Sequence, residues 1–93
     1  MISMQFNGFI TALEEEVKKR NETFADQGVK WEVEYPHIKE NEVAVKCSHK
    51  KKHAMSTMTE AEFNMNISTI SVEECVQFFV NLVTNKVRGD LMI

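Results

Sequence analysis

The spacing between apolar residues changes twice along the chain, and these changes limit the folds that the sequence can form. Residues 4–26 place apolar side chains three, four or seven positions apart, which is the spacing of one buried helix face. Residues 29–35 and 43–48 alternate between apolar and polar side chains, as half-buried strands do. Helical spacing returns at residues 72–88. The sequence therefore predicts a helix, a run of antiparallel strands and a second helix.

The number of strands is left open by the segment that follows the lysine-rich stretch. A weaker alternating pattern covers residues 53–59, and Phe63, Met65 and Ile67 continue it. Because the odd positions from Met55 to Ile67 would share one face of an extended chain, this part is either two strands or one long bent strand. Both helices need the same apolar sheet face. We therefore expect an α+β fold, a two-layer sandwich with three or four antiparallel strands and both helices on one sheet face. The opposite sheet face would present these side chains to solvent: Lys30, Glu32, Glu34, Ala44, Lys46, Ser48, Asn64 and Asn66.

The second helix carries more apolar surface than one neighbouring element covers. Ser71 and Glu74 have the spacing of a capping box, which predicts that this helix begins just after Ser71. Its apolar side chains spread over about 200° of the helical wheel, about twice the arc of the first helix. The sheet and the first helix could cover this arc, or a second copy of the chain could do so. We expect a homo-oligomer whose interface is formed by an apolar set near the C-terminus: Phe78, Leu82, Leu91, Met92 and Ile93.

Charge is unevenly distributed, although the formal net charge is only −3. Residues 43–58 contain four lysines and no acidic residue, whereas residues 1–28 and 59–93 are net acidic. An alternative function is therefore the binding of an anionic ligand, either nucleic acid or a nucleotide, by Lys46, His49, Lys50, Lys51, Lys52 and His53. The competing interpretation is a solvated turn whose lysines protect a sheet edge from pairing with other chains. Because four lysines are a small electrostatic footprint, nucleic acid is not the favoured partner.

Patterns typical of enzymes and metal centres are missing from the sequence. It has no nucleophile elbow, phosphate-binding loop, zinc-protease helix or paired-cysteine redox motif. Cys47 and Cys75 fall on apolar faces, which predicts buried thiols rather than metal ligands. We therefore expect no enzymatic activity, no metal site and no cofactor.

Composition sets the class of protein. Ninety-three residues with 43% hydrophobic and 27% charged side chains suit a single domain over residues 1–93. The first residues lack the basic and apolar regions of a secretion signal, and no apolar run approaches the roughly 20 residues that cross a bilayer. We therefore expect a cytoplasmic protein that does not enter membranes.

Acidic side chains cluster on the outer faces of both predicted helices, at Glu14, Glu15, Glu16, Glu73 and Glu74. Carboxylates arranged in this way suit the basic site of another protein. Together with the lack of catalytic motifs, they predict a small acidic protein-interaction module. It would act as an adaptor or as an inhibitor of a partner's basic site, and the sequence does not identify that partner.

Overall fold

The computed structural model describes residues 3–88, which form a three-stranded antiparallel sheet covered by helices. The elements in chain order are α1 (Met4–Thr23), a 3-10 turn (Ala25–Gln27), β1 (Val29–Glu34), β2 (Glu42–His49), β3 (Lys52–Thr59), α2 (Glu60–Ile67) and α3 (Val72–Arg88). The strands lie side by side in the order β1-β2-β3. This arrangement confirms the predicted α+β two-layer fold, with three strands. None of the helices within residues 3–88 is both long and apolar enough to cross a membrane.

The first helix begins and ends at recognisable signals. The Ser3 hydroxyl accepts a hydrogen bond from the Phe6 N–H at 3.2 Å, which satisfies one of the donors that a helix start leaves unpaired. The buried side chains of α1 are Phe6, Phe9, Ile10, Leu13 and Val17. Phe24 continues the same apolar spacing but lies beyond the helix, where its ring contacts Trp31 with 5.8 Å between centroids. Gly28 then adopts a φ of 72°, a left-handed conformation that lets the chain turn into β1.

The two-residue turn between β2 and β3 determines which side chains of β3 face the helices. His49 pairs with Lys52, so the even-numbered residues of β3 lie on the core side of the sheet. Accordingly, Ser56 and Met58 are only 6% and 5% exposed, whereas Met55 is 43% exposed. Met55 and Thr57 therefore lie on the open face of the sheet, because the length of the turn sets the register.

Residues 60–67 form a helix, so the predicted fourth strand, and the alternative of one long bent strand, were wrong. Thr59 caps this helix, because its hydroxyl accepts a hydrogen bond from the Glu62 N–H at 3.1 Å. The Glu62 carboxylate in turn accepts one from the Thr59 N–H at 2.9 Å. This reciprocal capping box stabilises a helix start directly after β3.

The apolar residues of α2 fit a helix as well as they fit a strand. Phe63 is fully buried, and Ile67, one helical turn later, packs against the core. Met65 lies on the other side of the helix and is 75% exposed. Asn64 and Asn66 therefore belong to α2 and not to the outer face of the sheet, which corrects their predicted position.

Four phenylalanine rings from the three helices form the centre of the core. Phe9 lies between Phe63 and Phe79, with ring centroids 4.6 and 6.0 Å away. Phe6 lies 5.6 Å from Phe63. None of the four is more than 1% exposed. Since these rings come from distant parts of the sequence, the cluster joins α1, α2 and α3 to one another.

The wide apolar arc of α3 is covered mainly within the chain, because α1 and the sheet both pack against it. The buried side chains of α3 are Cys75, Val76, Phe79, Val80, Val83, Thr84 and Val87. Phe78 and Leu82 remain 51% and 41% exposed. The fold therefore leaves two residues of the predicted interface at the surface.

Candidate interaction surfaces

Phe78 and Leu82 form an exposed apolar stripe on α3, which we name the α3 stripe. They are one helical turn apart, so their side chains are neighbours on the helix surface. On one side of the stripe, Asn81 accepts a hydrogen bond from the Arg20 guanidinium of α1 at 2.9 Å. On the other side, Lys86 reaches the sheet, with its Nζ 3.3 Å from a carbonyl oxygen of β3. The stripe thus lies on the outside of α3, between its contacts to α1 and to the sheet. The remaining predicted interface residues lie outside the described part of the chain: Leu91, Met92 and Ile93.

The predicted acidic set is divided between different surfaces. Glu15, Glu16 and Glu73 line one shallow groove of about 250 Å³ between α1 and α3, where Lys19 also lies. Glu14 lies in a separate hollow beside β1. The structure therefore brings three of the five predicted carboxylates together.

Glu74 has a structural contact of its own at the start of α3. Its carboxylate accepts a hydrogen bond from the Ser71 N–H at 3.1 Å, and the Ser71 hydroxyl accepts one from the Glu74 N–H at 3.1 Å. This is the capping box that the sequence predicts. One carboxylate oxygen of Glu74 is thus engaged in the cap.

The predicted anion-binding set does not form a single cluster. His49 faces the core and is 9% exposed, and its Nδ1 has no hydrogen-bond partner within residues 3–88. Lys46 donates a hydrogen bond to the Glu34 carboxylate at 2.9 Å, which raises the pKa of Lys46. The exposed members lie at the β2–β3 turn and the adjoining start of β3: Lys50, Lys51, Lys52 and His53.

The open face of the sheet carries a concavity of about 480 Å³. Lys30, Ser48 and His53 lie side by side across the three strands there, and Lys46 lies in the next row. Ala44, predicted to be exposed on this face, is fully buried, because it is small and has a strand on either side. Lysine and glutamate side chains both line the concavity, so its charge does not select one sign of ligand.

β3 lies at the edge of the sheet, and one row of its backbone groups points away from β2. Hydrogen-bonded pairs alternate along an antiparallel ladder from the β2–β3 turn, so the N–H and C=O groups of His53, Met55 and Thr57 face outward. We name these groups the β3 open edge. Lys86 donates to the Met55 carbonyl oxygen at 3.3 Å. The sequence offered a sheet edge protected by the lysines of the turn as one interpretation, but no sequence pattern predicts the contact of Lys86 with β3.

The opposite edge of the sheet, at β1, is capped at Trp31 by a side chain from α1. The Asn21 amide nitrogen donates to the Trp31 carbonyl oxygen at 2.9 Å. The Trp31 N–H in turn donates to the Asn21 amide oxygen at 2.9 Å. The amide therefore satisfies both backbone groups of Trp31, as a neighbouring strand would do.

Glu34 lies between two basic side chains, and this predicts a pH dependence of stability. Hydrogen bonds from the His37 ring and the Lys46 ammonium hold the pKa of Glu34 below its ordinary value of 4.5. A carboxylate whose pKa is lowered by folding stabilises the protein above that ordinary value, and the contribution is lost as the pH falls through the folded pKa. We expect the free energy of unfolding, from urea titrations between about pH 7 and pH 3, to fall below about pH 4.5 and to fall less steeply for Glu34→Gln. Equal pH profiles for the two proteins would contradict this.

Other proteins provide no further guide to function. Residues 3–88 contain no group of three or more histidine, cysteine or acidic side chains that could hold a metal ion. Comparison with protein-family models, curated proteins and solved structures finds no match to this chain.

Proposed function

We propose that this chain is a non-enzymatic protein-interaction module that self-associates through the α3 stripe. The observation that carries the proposal is the exposure of Phe78 and Leu82, at 51% and 41%, on a helix that otherwise buries its large apolar side chains. Single exposed apolar residues are ordinary on protein surfaces, whereas adjoining ones form a contiguous patch of the kind that proteins use for contact.

The charge pattern of α3 favours a second copy of the chain as the partner. Residues four positions apart form a ridge on its outer side, which begins with an acidic residue and ends with a basic one: Glu74, Phe78, Leu82 and Lys86. If two α3 helices cross antiparallel about the middle of this ridge, Phe78 of one copy contacts Leu82 of the other, and Glu74 lies opposite Lys86. Opposite charges then flank the apolar contact at both ends, whereas a parallel crossing would bring like charges together.

The expected self-association is weak. Full burial of a phenylalanine or leucine side chain is worth roughly 1.5–3 kcal/mol, and these side chains are already about half buried. Two residues from each copy therefore contribute about 3–6 kcal/mol, which is comparable with the cost of bringing two proteins together. Little free energy is left over, so we expect a dissociation constant of about millimolar order and not a tighter one.

Substitution of Phe78 tests the proposal. We expect the sedimentation coefficient of the wild type to rise with protein concentration and that of Phe78→Asp to stay at the monomer value, because the dimer would bury an unpaired carboxylate. Met4→Asp is the matched control, since Met4 is 90% exposed on α1, and it should behave as the wild type does. A wild type that stays monomeric up to millimolar concentration would remove the self-association part of the proposal.

A charge exchange tests the antiparallel crossing itself. Lys86→Glu should weaken self-association, because the substituted carboxylate would face Glu74 of the second copy. The double variant Glu74→Lys with Lys86→Glu should restore it, because the ridge is again acidic at one end and basic at the other. Failure of the double variant to recover, while its circular dichroism spectrum stays that of the wild type, would exclude this crossing.

The acidic groove supports the remainder of the proposed function. Glu15, Glu16 and Glu73 lie along one side of the α1–α3 contact, away from the α3 stripe. A self-associated module would present two such grooves, and each is suited to a basic segment of a partner. In this role the chain acts as an adaptor or as an inhibitor of a partner's basic site. Anion binding at the lysine-rich turn stays a prediction.

A further inference from the structure

The β3 open edge has the properties of a strand-binding site. β3 is eight residues long, Lys52–Thr59, and contains no proline or glycine. Within residues 3–88, the one hydrogen bond to its outward backbone groups is the one that the Met55 carbonyl oxygen accepts from Lys86. A strand with unpaired backbone groups is a template for another extended segment, and proteins ordinarily protect such edges.

The protection of the two sheet edges differs in kind. At β1, a single amide from α1 satisfies both backbone groups of Trp31 at 2.9 Å. At β3, the Met55 carbonyl oxygen accepts one hydrogen bond, at 3.3 Å, from the exposed ammonium of Lys86. A long exposed lysine holds such a contact weakly, because it loses side-chain freedom there and water competes for both groups. The β3 edge can therefore be opened by displacing one flexible side chain.

The charge around this edge selects the kind of segment that fits. Residues 43–58 contain no acidic residue, and Lys50, Lys51 and Lys52 lie at the start of β3. Lys86 adds a fourth ammonium near the middle of the strand, 3.1 Å from the Ser56 hydroxyl. An incoming strand therefore meets positive charge beside the turn and near the middle of β3, whereas Glu60 and Glu62 follow its other end.

We propose that the β3 open edge binds an extended acidic segment of another protein, which adds to the sheet as a fourth strand. The backbone of the segment pairs with the outward N–H and C=O groups of His53, Met55 and Thr57. A carboxylate of the segment takes the Lys86 ammonium, which releases the Met55 carbonyl oxygen to accept a backbone N–H. The inference goes beyond the proposed function and does not need self-association, although Lys86 borders both the α3 stripe and the β3 open edge.

A second copy of the chain fits this edge less well than an acidic segment does. Lys86 contacts β3 at Met55 and Ser56, which are the middle of the strand. Pairing two β3 edges antiparallel about their middle would bring the two Lys86 side chains within about one Debye length, or roughly 8 Å, where like charges repel. Self-association therefore belongs to the α3 stripe and strand addition to β3.

The test uses fluorescein-labelled synthetic peptides of the length of β3, 8 residues. The acidic probe alternates glutamate and valine, and a neutral probe alternates threonine and valine. A third peptide has the acidic composition with two central prolines, which prevent strand pairing, and a labelled single-stranded oligonucleotide of similar charge serves as a polyanion. Fluorescence anisotropy is recorded as wild-type protein is added, and again with the Phe78→Asp variant, which is expected to be monomeric. Peptide binding by Phe78→Asp tests the β3 open edge alone, so a wrong proposal for the α3 stripe and a wrong proposal for β3 give different results.

Two matched substitutions at Thr57 isolate the backbone of the edge. Its N–H points outward, so Thr57→Pro removes an edge donor and obstructs pairing without removing a bond between β2 and β3. Thr57→Ala leaves the N–H in place. We expect Thr57→Pro to weaken binding of the acidic probe at least about tenfold and Thr57→Ala to leave it within about twofold of wild type. If Thr57→Pro keeps the wild-type circular dichroism spectrum, misfolding is excluded as the cause. If Thr57→Pro does not keep that spectrum, the measurement is repeated with a second edge variant, Met55→Pro.

Lys86→Gln tests the charge. We expect the preference for the acidic over the neutral probe to fall about fivefold, because the acidic complex loses one ion pair. The hydrogen bond of Lys86 to the Met55 carbonyl oxygen is removed for both probes alike, so its loss does not change the preference. Three outcomes would overturn the proposal. In the first, the proline-containing peptide binds as tightly as the acidic probe. In the second, the oligonucleotide binds as tightly as the acidic probe and Thr57→Pro does not weaken its binding. In the third, Thr57→Pro abolishes the self-association of the protein, which would make the occupant of the edge a second copy.

Discussion

Phe9→Ala is expected to destabilise the protein by about 3–5 kcal/mol. Phe9 is fully buried, and its ring lies between Phe63, 4.6 Å away, and Phe79, 6.0 Å away. Its removal takes apolar area out of the core and leaves a space that rings from three different helices border. Since all three helices also pack against the sheet, the space closes only in part, and the cavity adds to the loss.

The size of this loss is comparable with the whole stability expected of such a domain. At roughly 0.05–0.15 kcal/mol per residue, a chain of 93 residues unfolds with a free energy of about 5–14 kcal/mol. Urea or thermal unfolding followed by circular dichroism measures the difference. The matched control is Phe78→Ala, whose side chain is 51% exposed, and at low protein concentration it should change stability by much less. Equal losses for the two variants would show that the aromatic cluster does not dominate the core.

Thr84→Val is expected to destabilise the protein by about 1–3 kcal/mol although it keeps the shape of the side chain. The Trp31 indole N–H donates to the Thr84 hydroxyl oxygen at 2.8 Å, and that hydroxyl donates to the Val80 carbonyl oxygen at 2.7 Å. Both side chains are buried, at 6% exposure each. Valine fills the same volume but accepts no hydrogen bond, so the indole N–H would remain buried without a partner, which costs its full desolvation.

A double-mutant cycle separates this hydrogen bond from other effects of the substitution. In the background of Trp31→Phe there is no indole N–H, so Thr84→Val should cost clearly less there than in the wild type. Thr84→Ser keeps the hydroxyl and serves as the conservative control. The free energies come from urea unfolding of the four proteins. Additive losses in the cycle would mean that the Trp31–Thr84 hydrogen bond contributes nothing specific.

The sequence predicts those parts of the fold that depend on neighbouring residues. The helical stripe of α1, the alternation of β1 and β2 and the capping box of Ser71 and Glu74 are all local patterns, and the structure confirms them. The same capping pattern at Thr59 and Glu62 was overlooked. Over a segment as short as eight residues, alternating apolar side chains fit a helix and a strand alike, and only the cap distinguishes them.

The parts that escaped prediction depend on geometry between distant residues. In the β2–β3 turn, Lys50 has a φ of 57°, a conformation that glycine or asparagine usually adopts. Because a lysine stands there, the sequence does not predict the tight turn that sets the register of β3. The contact of Lys86 with Met55 joins residues 31 positions apart, and no spacing rule reaches that far. The α3 stripe was predicted in part, because exposure of Phe78 and Leu82 follows from an arc too wide for the chain to cover.

The unequal protection of the sheet edges also limits how far any strand pairing can spread. Copies joined head to tail, with β3 of one against β1 of the next, would grow without an end, since each addition exposes a fresh edge. In every copy the Asn21 amide is hydrogen-bonded to Trp31 in the middle of β1, so β1 is not open to β3 of another copy. Copies of the chain therefore do not extend one sheet by pairing β3 with β1, and the module can take up a partner strand at β3 without this head-to-tail polymerisation.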